Sequence, residues 1–170
     1  MPSIMDGVEV KLSYEPQQSG NSIDSGMGYA VTYTGVEGLT LAYSNSDEVG
    51  TTSDLSGEQT AWKISYAYGP VTATMTQSEF DVTTTTSDQD VSSAAVSYTI
   101  SDEMSVTYGT ETIESTNSGH VDAEYTVVKG SYTSGGMTIS AQMKEAENVD
   151  HSTSSNADFE YWCLGLAFAF

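Results

Sequence analysis

The sequence predicts an all-β protein: an antiparallel up-and-down transmembrane β-barrel of about ten strands, forming a single domain over residues 1–170. Three observations lead to this fold class. Apolar residues alternate with small polar residues in about ten runs, as in strands that face lipid on one side and water on the other. Short and long connections alternate between the runs. Aromatic residues recur near the ends of the runs, where lipid would meet water.

Each run is predicted to be a strand because its apolar residues occupy every second position, which places them on one face. In chain order, the first five apolar faces are Val8, Val10, Leu12 and Tyr14; Met27, Tyr29, Val31 and Tyr33; Leu39, Leu41 and Tyr43; Trp62, Ile64, Tyr66 and Tyr68; and Val71, Ala73 and Met75. The sixth, seventh, ninth and tenth are Ala94, Val96, Tyr98 and Ile100; Met104, Val106 and Tyr108; Met137, Ile139, Ala141 and Met143; and Trp162, Leu164, Leu166, Phe168 and Phe170.

The eighth run, between Ala123 and Tyr132, allows two phases. We favour an apolar face of Val128, Gly130 and Tyr132, because the other phase puts Lys129 on the apolar face.

The connections give the predicted strands a direction. Short turns follow the even-numbered runs, at residues 35–38, 69–70, 101–103 and 134–136, and long polar loops follow the odd-numbered ones, for example at 44–60, 77–90 and 145–158. Outer-membrane barrels have short periplasmic turns and long extracellular loops. The first strand would then rise from the periplasm and the tenth would end there.

Aromatic residues agree with these directions. The set predicted near the periplasmic edge is Tyr33, Tyr68, Tyr98, Tyr132 and Phe170, and the set predicted near the outer edge is Tyr14, Tyr43, Trp62, Tyr108 and Trp162. Two such bands are typical of membrane barrels.

Composition excludes several other classes of protein. Only 38% of the residues are hydrophobic, so no window approaches the roughly 20 apolar residues of a membrane helix. The 24 acidic residues against four lysines give a net charge of -20, which argues against nucleic acid as a partner. Cys163 is the single cysteine, so an intrachain disulfide cannot form.

The terminal run carries a family resemblance. Its alternating residues Trp162, Leu164, Leu166, Phe168 and Phe170 resemble the signal that the barrel-assembly machinery reads. The whole pattern is similar to the general porins of Gram-negative outer membranes. Such porins commonly have about sixteen strands and an inward-folded constriction loop. No segment matches that loop, and Met1 to Asp6 do not resemble a signal peptide, so we expect the C-terminal part of a longer porin, with a complete ten-strand barrel as the alternative.

All four lysines fall on the predicted lumen side: Lys11, Lys63, Lys129 and Lys144. One interpretation is that lipid excludes charge, at a cost of about 2–4 kcal/mol for a lysine at mid-bilayer, so that the lysines simply avoid it. The other is a basic pore wall that orients permeating solutes.

The carboxylates gather in the predicted long loops. The candidate acidic vestibule consists of Asp47, Glu48, Asp54, Glu58, Glu79, Asp81, Asp88, Asp90, Glu145 and Glu147. They are interpreted either as a solvated rim or as a negative mouth that concentrates cations. A further alternative is that divalent cations bridge them to lipopolysaccharide, although no spacing forms a calcium loop and no metal ligand is assigned.

No catalytic or cofactor-binding residue is predicted. His120 near Asp122 and His151 beside Asp150 are expected to be polar loop residues, since general-base catalysis needs a positioned geometry. The methionines on the apolar faces are expected to face lipid or to pack, and Cys163, which alternates to the lumen side, is expected to be a small filler.

The predicted function is therefore passive diffusion of small hydrophilic solutes and ions through a water-filled outer-membrane channel that prefers cations. One alternative is a small barrel acting through its extracellular loops, as an adhesin or structural anchor. Another is a soluble β-domain, whose apolar faces would pack on a second sheet. The porin resemblance also implies contact with outer-membrane lipid and lipopolysaccharide, and a homotrimer.

Overall fold

The computed structural model describes residues 5–17, 25–48, 57–82, 88–154 and 157–168. They form one antiparallel sheet of ten strands in which each strand pairs with the next along the chain. The strands are β1 (Val8–Glu15), β2 (Gly26–Tyr33), β3 (Leu39–Glu48), β4 (Gly57–Tyr68), β5 (Val71–Val82), β6 (Gln89–Ser101), β7 (Met104–Ser115), β8 (Ala123–Ser134), β9 (Met137–Glu147) and β10 (Phe159–Phe168). A short 3₁₀ helix, Val149–His151, precedes β10.

This arrangement confirms the predicted all-β, up-and-down fold class. The strands are 8 to 13 residues long, which fits the roughly 9–11 residues that a tilted strand needs to cross a bilayer. Within the described ranges β1 and β10 do not pair, so the sheet is not closed. Asp54, Phe170 and the side chain of Glu48 lie outside the described part of the chain.

The strand register places the apolar faces side by side. Val10 lies opposite Val31, Val31 opposite Tyr43, and Tyr43 opposite Trp62. Because side chains alternate between the two faces of a strand, this pairing carries one apolar face across the sheet. We call it the outward face.

The eighth strand follows the same rule. Val128 lies opposite both Tyr108 and Met143, and Tyr132 lies opposite both Met104 and Ile139. The favoured phase of this strand is therefore confirmed, and Lys129 belongs to the opposite face.

All four short turns lie at one end of the sheet, as predicted. The turn between β8 and β9 consists of Gly135 and Gly136, with φ of 58° and 82°. Two successive left-handed residues produce a hairpin turn whose twist matches that of the strands, and glycine adopts this conformation without a steric penalty from Cβ.

At the other end, the strands are longer than predicted. β3 continues to Glu48 and β4 begins at Gly57, where the sequence had suggested a loop over 44–60, and β5 and β9 are extended in the same way. The loop prediction was wrong here because backbone pairing continues past the point where apolar alternation stops, for example between Asp47 and Glu58.

The sheet is a single layer with almost no core. Among the described residues, the buried hydrophobic side chains are Ala123, Ala146 and Ala157, whereas Trp162 is 78% exposed and Leu12 is 77% exposed. A contiguous exposed apolar face of this kind marks contact with lipid or with another protein. The described residues contain no second sheet packed on it, as the soluble alternative would require.

No helix in the described ranges is both long enough and apolar enough to cross a membrane.

Candidate pore wall and rim

The face opposite the apolar one, which we call the inward face, is rich in hydroxyl groups that bond to one another across neighbouring strands. The pairs are Ser65–Thr74 (2.9 Å), Thr76–Ser93 (2.6 Å), Ser97–Thr107 (2.8 Å), Ser105–Ser131 (2.8 Å) and Thr133–Thr138 (2.9 Å). Short hydroxyl side chains leave space above the sheet while presenting groups that water can bond. The inward face is thus suited to an aqueous surface.

The register places all four lysines on the inward face. Lys11 lies opposite Ala30, Lys63 opposite Thr76, Lys129 opposite Thr107, and Lys144 opposite Val127. The structure does not gather them into one cluster. Lys129 and Lys144 come nearest in register, as diagonal neighbours on β8 and β9, while Lys11 and Lys63 lie on β1 and β4.

The lysines differ in their partners. Lys11 Nζ lies 3.4 Å from Glu9 Oε1, the one ion pair found among the described residues. Lys144 is half-buried, and its Nζ lies 4.7 Å from the centre of the Tyr125 ring. Such a contact is attractive because the face of an aromatic ring carries partial negative charge.

A shallow cavity of about 370 Å³ opens beside Lys144. Its polar lining includes Glu111, Gln142 and Ser93, and its aromatic lining includes Tyr125 and Tyr161. Glu111 lies directly opposite Tyr125, and Lys144 directly opposite Tyr161. Sequence reasoning missed this site because its residues come from five strands, β6 to β10, and only the register brings them together.

The candidate acidic residues lie mostly on strands rather than in loops. Asp47, Glu58, Glu79, Asp81, Asp90, Glu145 and Glu147 are all strand residues, and Asp88 directly precedes β6. Every one of these seven strand residues has the phase of the apolar residues, so they extend the outward face beyond Trp62 and its neighbours. The prediction that they lie in long loops is wrong for these seven residues, because strand pairing continues through them.

Like charges meet directly across the strands of this acidic rim. Glu58 lies opposite both Asp47 and Asp81, and Glu79 lies opposite Asp90. Directly opposed like charges are destabilising. The boundary between the rim and the apolar band is marked by Trp62, whose Nε1 donates to Gln77 Oε1 at 3.2 Å.

The two histidines come together at the same end of the sheet. The rings of His120 and His151 stack with centres 5.3 Å apart, and His151 Nδ1 lies 2.9 Å from the Val121 carbonyl oxygen. Asn148, Asp150 and His151 all have positive φ, a strained conformation for residues other than glycine. These contacts join two loops, and no group of three or more His, Cys, Asp or Glu within the described ranges could hold a metal ion.

The terminal strand β10 pairs with β9 from Phe159 to Phe168. Its alternating residues Trp162, Leu164, Leu166 and Phe168 are between 56% and 78% exposed on the outward face. Cys163 is a free, exposed thiol on the inward face, opposite Gln142.

Exposed apolar side chains on one face and hydroxyls and lysines on the other define a class of protein: a membrane-spanning β-sheet that separates lipid from water. The Gram-negative porin family matches the chain over residues 1–170. The chain therefore belongs to the Gram-negative porin family, and the family places it in the bacterial outer membrane. Porins are channel proteins rather than enzymes.

Solved structures agree with this assignment at the level of fold. Two engineered variants of the porin from Rhodobacter blastica superpose on the chain with TM-scores of 0.63 and 0.61, at 20% and 16% sequence identity. The matches cover 88% and 98% of this chain but 47% and 52% of those porins, so the chain spans about half their length. Their fold fits the predicted β-barrel. Comparison with curated protein sequences gives no match.

Proposed function

We propose that this chain forms part of the wall of a water-filled channel through which small hydrophilic solutes diffuse passively. The observation that carries the proposal is the contrast between the two faces of the single sheet. A barrel wall needs an apolar side toward lipid and a polar side toward water, and every backbone group between them must be paired.

The proposed pore wall includes Lys11, Lys63, Lys129 and Lys144. Their common inward phase supports this, as does the cost of placing a lysine in lipid. A lysine that faces the lumen raises the local electrostatic potential there and disfavours cations.

We further propose that the channel prefers cations, because 24 acidic side chains outweigh the four lysines and leave a net charge of -20. The acidic rim adds negative potential at one end of the sheet. Charges within a Debye length, about 8 Å at physiological salt, act on ions that enter. The preference is therefore expected to weaken as the salt concentration rises.

Planar bilayer recordings of the purified full protein test the channel directly. We expect stepwise single-channel currents. In a salt gradient, the sign of the reversal potential should show that cations permeate more readily than anions. In the variant Lys63→Glu/Lys129→Glu the reversal potential should shift further toward cations, whereas Glu37→Gln in the β2–β3 turn should not shift it. An inserted protein that passes no current would refute the channel and favour the anchor or adhesin alternative. An unchanged reversal potential in the double variant would show that Lys63 and Lys129 do not line the pore.

The proposal extends to partners. The outward face would contact lipid, and the outward direction of the acidic rim supports divalent bridges from its carboxylates to lipopolysaccharide. The alternating β10 residues support recognition by the barrel-assembly machinery, and family membership supports a homotrimer. The native mass of the detergent-extracted protein, compared with the mass of one chain, tests the trimer.

A further inference from the structure

The cavity beside Lys144 combines groups of three kinds on the inward face: one positive side chain, one negative side chain and two aromatic rings. It is lined by Glu111 of β7, Tyr125 of β8, Gln142 and Lys144 of β9, and Tyr161 of β10. Resting on the proposed channel function, we infer that this cavity is a binding site for zwitterionic solutes, namely free amino acids with an apolar or aromatic side chain.

Both charges are available to a solute. Among the described residues no carboxylate lies within ion-pair distance of Lys144, and Glu111 likewise pairs with no cation. Lys144 is instead held over the Tyr125 ring. This contact positions the ammonium group without neutralising it.

The spacing suits a small molecule with two charged ends. Glu111 and Lys144 lie on alternate strands and two residues apart along them, so with strands about 4.8 Å apart their backbones are roughly 12 Å apart. Both side chains line the same cavity, with the strand of Tyr125 between theirs, and this spacing leaves room for an ammonium and a carboxylate that share one carbon. A solute carboxylate would accept a hydrogen bond from Lys144, and a solute ammonium would donate one to Glu111.

Aromatic side chains supply the third contact. The rings of Tyr125 and Tyr161 border the cavity, and Tyr161 stacks on Phe159 at 6.1 Å. Apolar and aromatic groups of a ligand gain free energy when they cover such rings. A simple sugar is uncharged, so it could cover the rings and form hydrogen bonds but could form an ion pair with neither Lys144 nor Glu111.

Net charge also favours a zwitterion. An anion that could bind Lys144 must first pass a protein of net charge -20, and a cation that could bind Glu111 meets Lys144 in the same cavity. A zwitterion carries no net charge, so neither obstacle applies to it, while its two ends still match the two side chains.

The test measures how L-phenylalanine reduces the single-channel current of the full protein in planar bilayers. We compare it with 3-phenylpropionate, which lacks the ammonium group, and with phenethylamine, which lacks the carboxylate. Loss of one charge-assisted hydrogen bond should raise the concentration for half-maximal reduction roughly tenfold.

Variants link each end of the solute to its residue. Glu111→Gln and Lys144→Gln should each weaken the effect of L-phenylalanine roughly tenfold. Lys144→Gln should not weaken the effect of phenethylamine and should strengthen it, because that probe has no carboxylate for Lys144 to bind and its ammonium group no longer meets a positive charge. The double variant Glu111→Lys/Lys144→Glu keeps both charges and should recover much of the block. Glu37→Gln, in the turn at the opposite end, is the matched carboxylate control and should not change it.

The outcomes separate this inference from the channel proposal. If the protein conducts but L-phenylalanine does not reduce its current, or if the three probes act equally, the site is refuted and the channel stands. If Lys144→Gln weakens phenethylamine as strongly as phenylalanine, Lys144 acts only on the structure of the wall and the inference fails. Absence of any current refutes the channel itself.

Discussion

The two faces of the sheet share one network of backbone hydrogen bonds but suit opposite surroundings, one lipid and the other water. On the outward face, side chains such as Trp162 and Leu164 are 78% and 66% exposed and would aggregate in water. On the inward face, hydroxyl pairs such as Ser97 and Thr107 bond one another at 2.8 Å. The comparison shows that this fold is held by pairing between strands and by the two solvents around it, with almost no buried core.

The contrast ends at the rim, where the outward face changes from apolar to acidic. Trp62 marks the change with its bond to Gln77, and Glu58 and Glu79 lie beyond it. The same side of a strand can therefore face hydrocarbon at one height and charged headgroups or water at another.

The largest expected effect comes from moving one charge between the faces. The variant Lys63→Ile/Ile64→Lys keeps the composition but points the ammonium outward, between Leu41 and Met75. We expect the free energy of unfolding in lipid vesicles to fall by about 2–4 kcal/mol, measured by urea titration. Lys63→Ile alone is the control and should stay within about 0.5 kcal/mol of the parent. Equal effects of the two variants would show that these positions do not face different solvents.

A smaller effect is expected from removing one hydroxyl bond on the inward face. Thr76→Val deletes the 2.6 Å bond to Ser93 and should lower the free energy of unfolding by about 0.5–1.5 kcal/mol. Thr72 is a matched control on the same face and strand, because it makes no side-chain hydrogen bond in the described part of the chain. If Thr72→Val lowers the stability as much as Thr76→Val does, the bonded pairs contribute nothing beyond their polarity.

The smallest effect concerns the acidic rim. Glu79→Gln relieves repulsion with Asp90, which lies directly opposite, and should raise the free energy of unfolding by about 0.2–1 kcal/mol at low salt. The gain should vanish near 1 M salt, where the Debye length is about 3 Å. Glu103→Gln, in a turn at the far end, is the control. A gain that persists in 1 M salt would mean that charge repulsion is not its cause.

The sequence was sufficient for the fold class and for the faces of the strands in the membrane band. In β8, where alternation allowed two phases, the charge of Lys129 decided that Val128 and Tyr132 belong to the apolar face, because the other phase would put a lysine in lipid. The sequence was insufficient at the rim, where carboxylates occupy the positions that apolar residues hold in the membrane band, so that Asp47 and Glu58 were interpreted as loop residues.

The cavity beside Lys144 could not be predicted from the sequence, for a different reason. Glu111, Tyr125 and Lys144 are separated along the chain, and their proximity depends on the register of β7, β8 and β9. A shift of one residue in either pairing would move a side chain to the other face. The register is set by whole strands, so inspection of local motifs could not find the site.

The central claim, that one face meets lipid and the other meets water, is tested most directly by spin-label accessibility along β7. In a Cys163→Ala background, a nitroxide is attached in turn to single cysteines at Ser105, Val106, Thr107 and Tyr108 of the protein in lipid vesicles. We predict that oxygen dissolved in lipid accelerates the spin relaxation of labels at Val106 and Tyr108. A water-soluble nickel complex should instead accelerate the relaxation of labels at Ser105 and Thr107. Uniform accessibility at the four positions, or alternation in the opposite phase, would contradict the account.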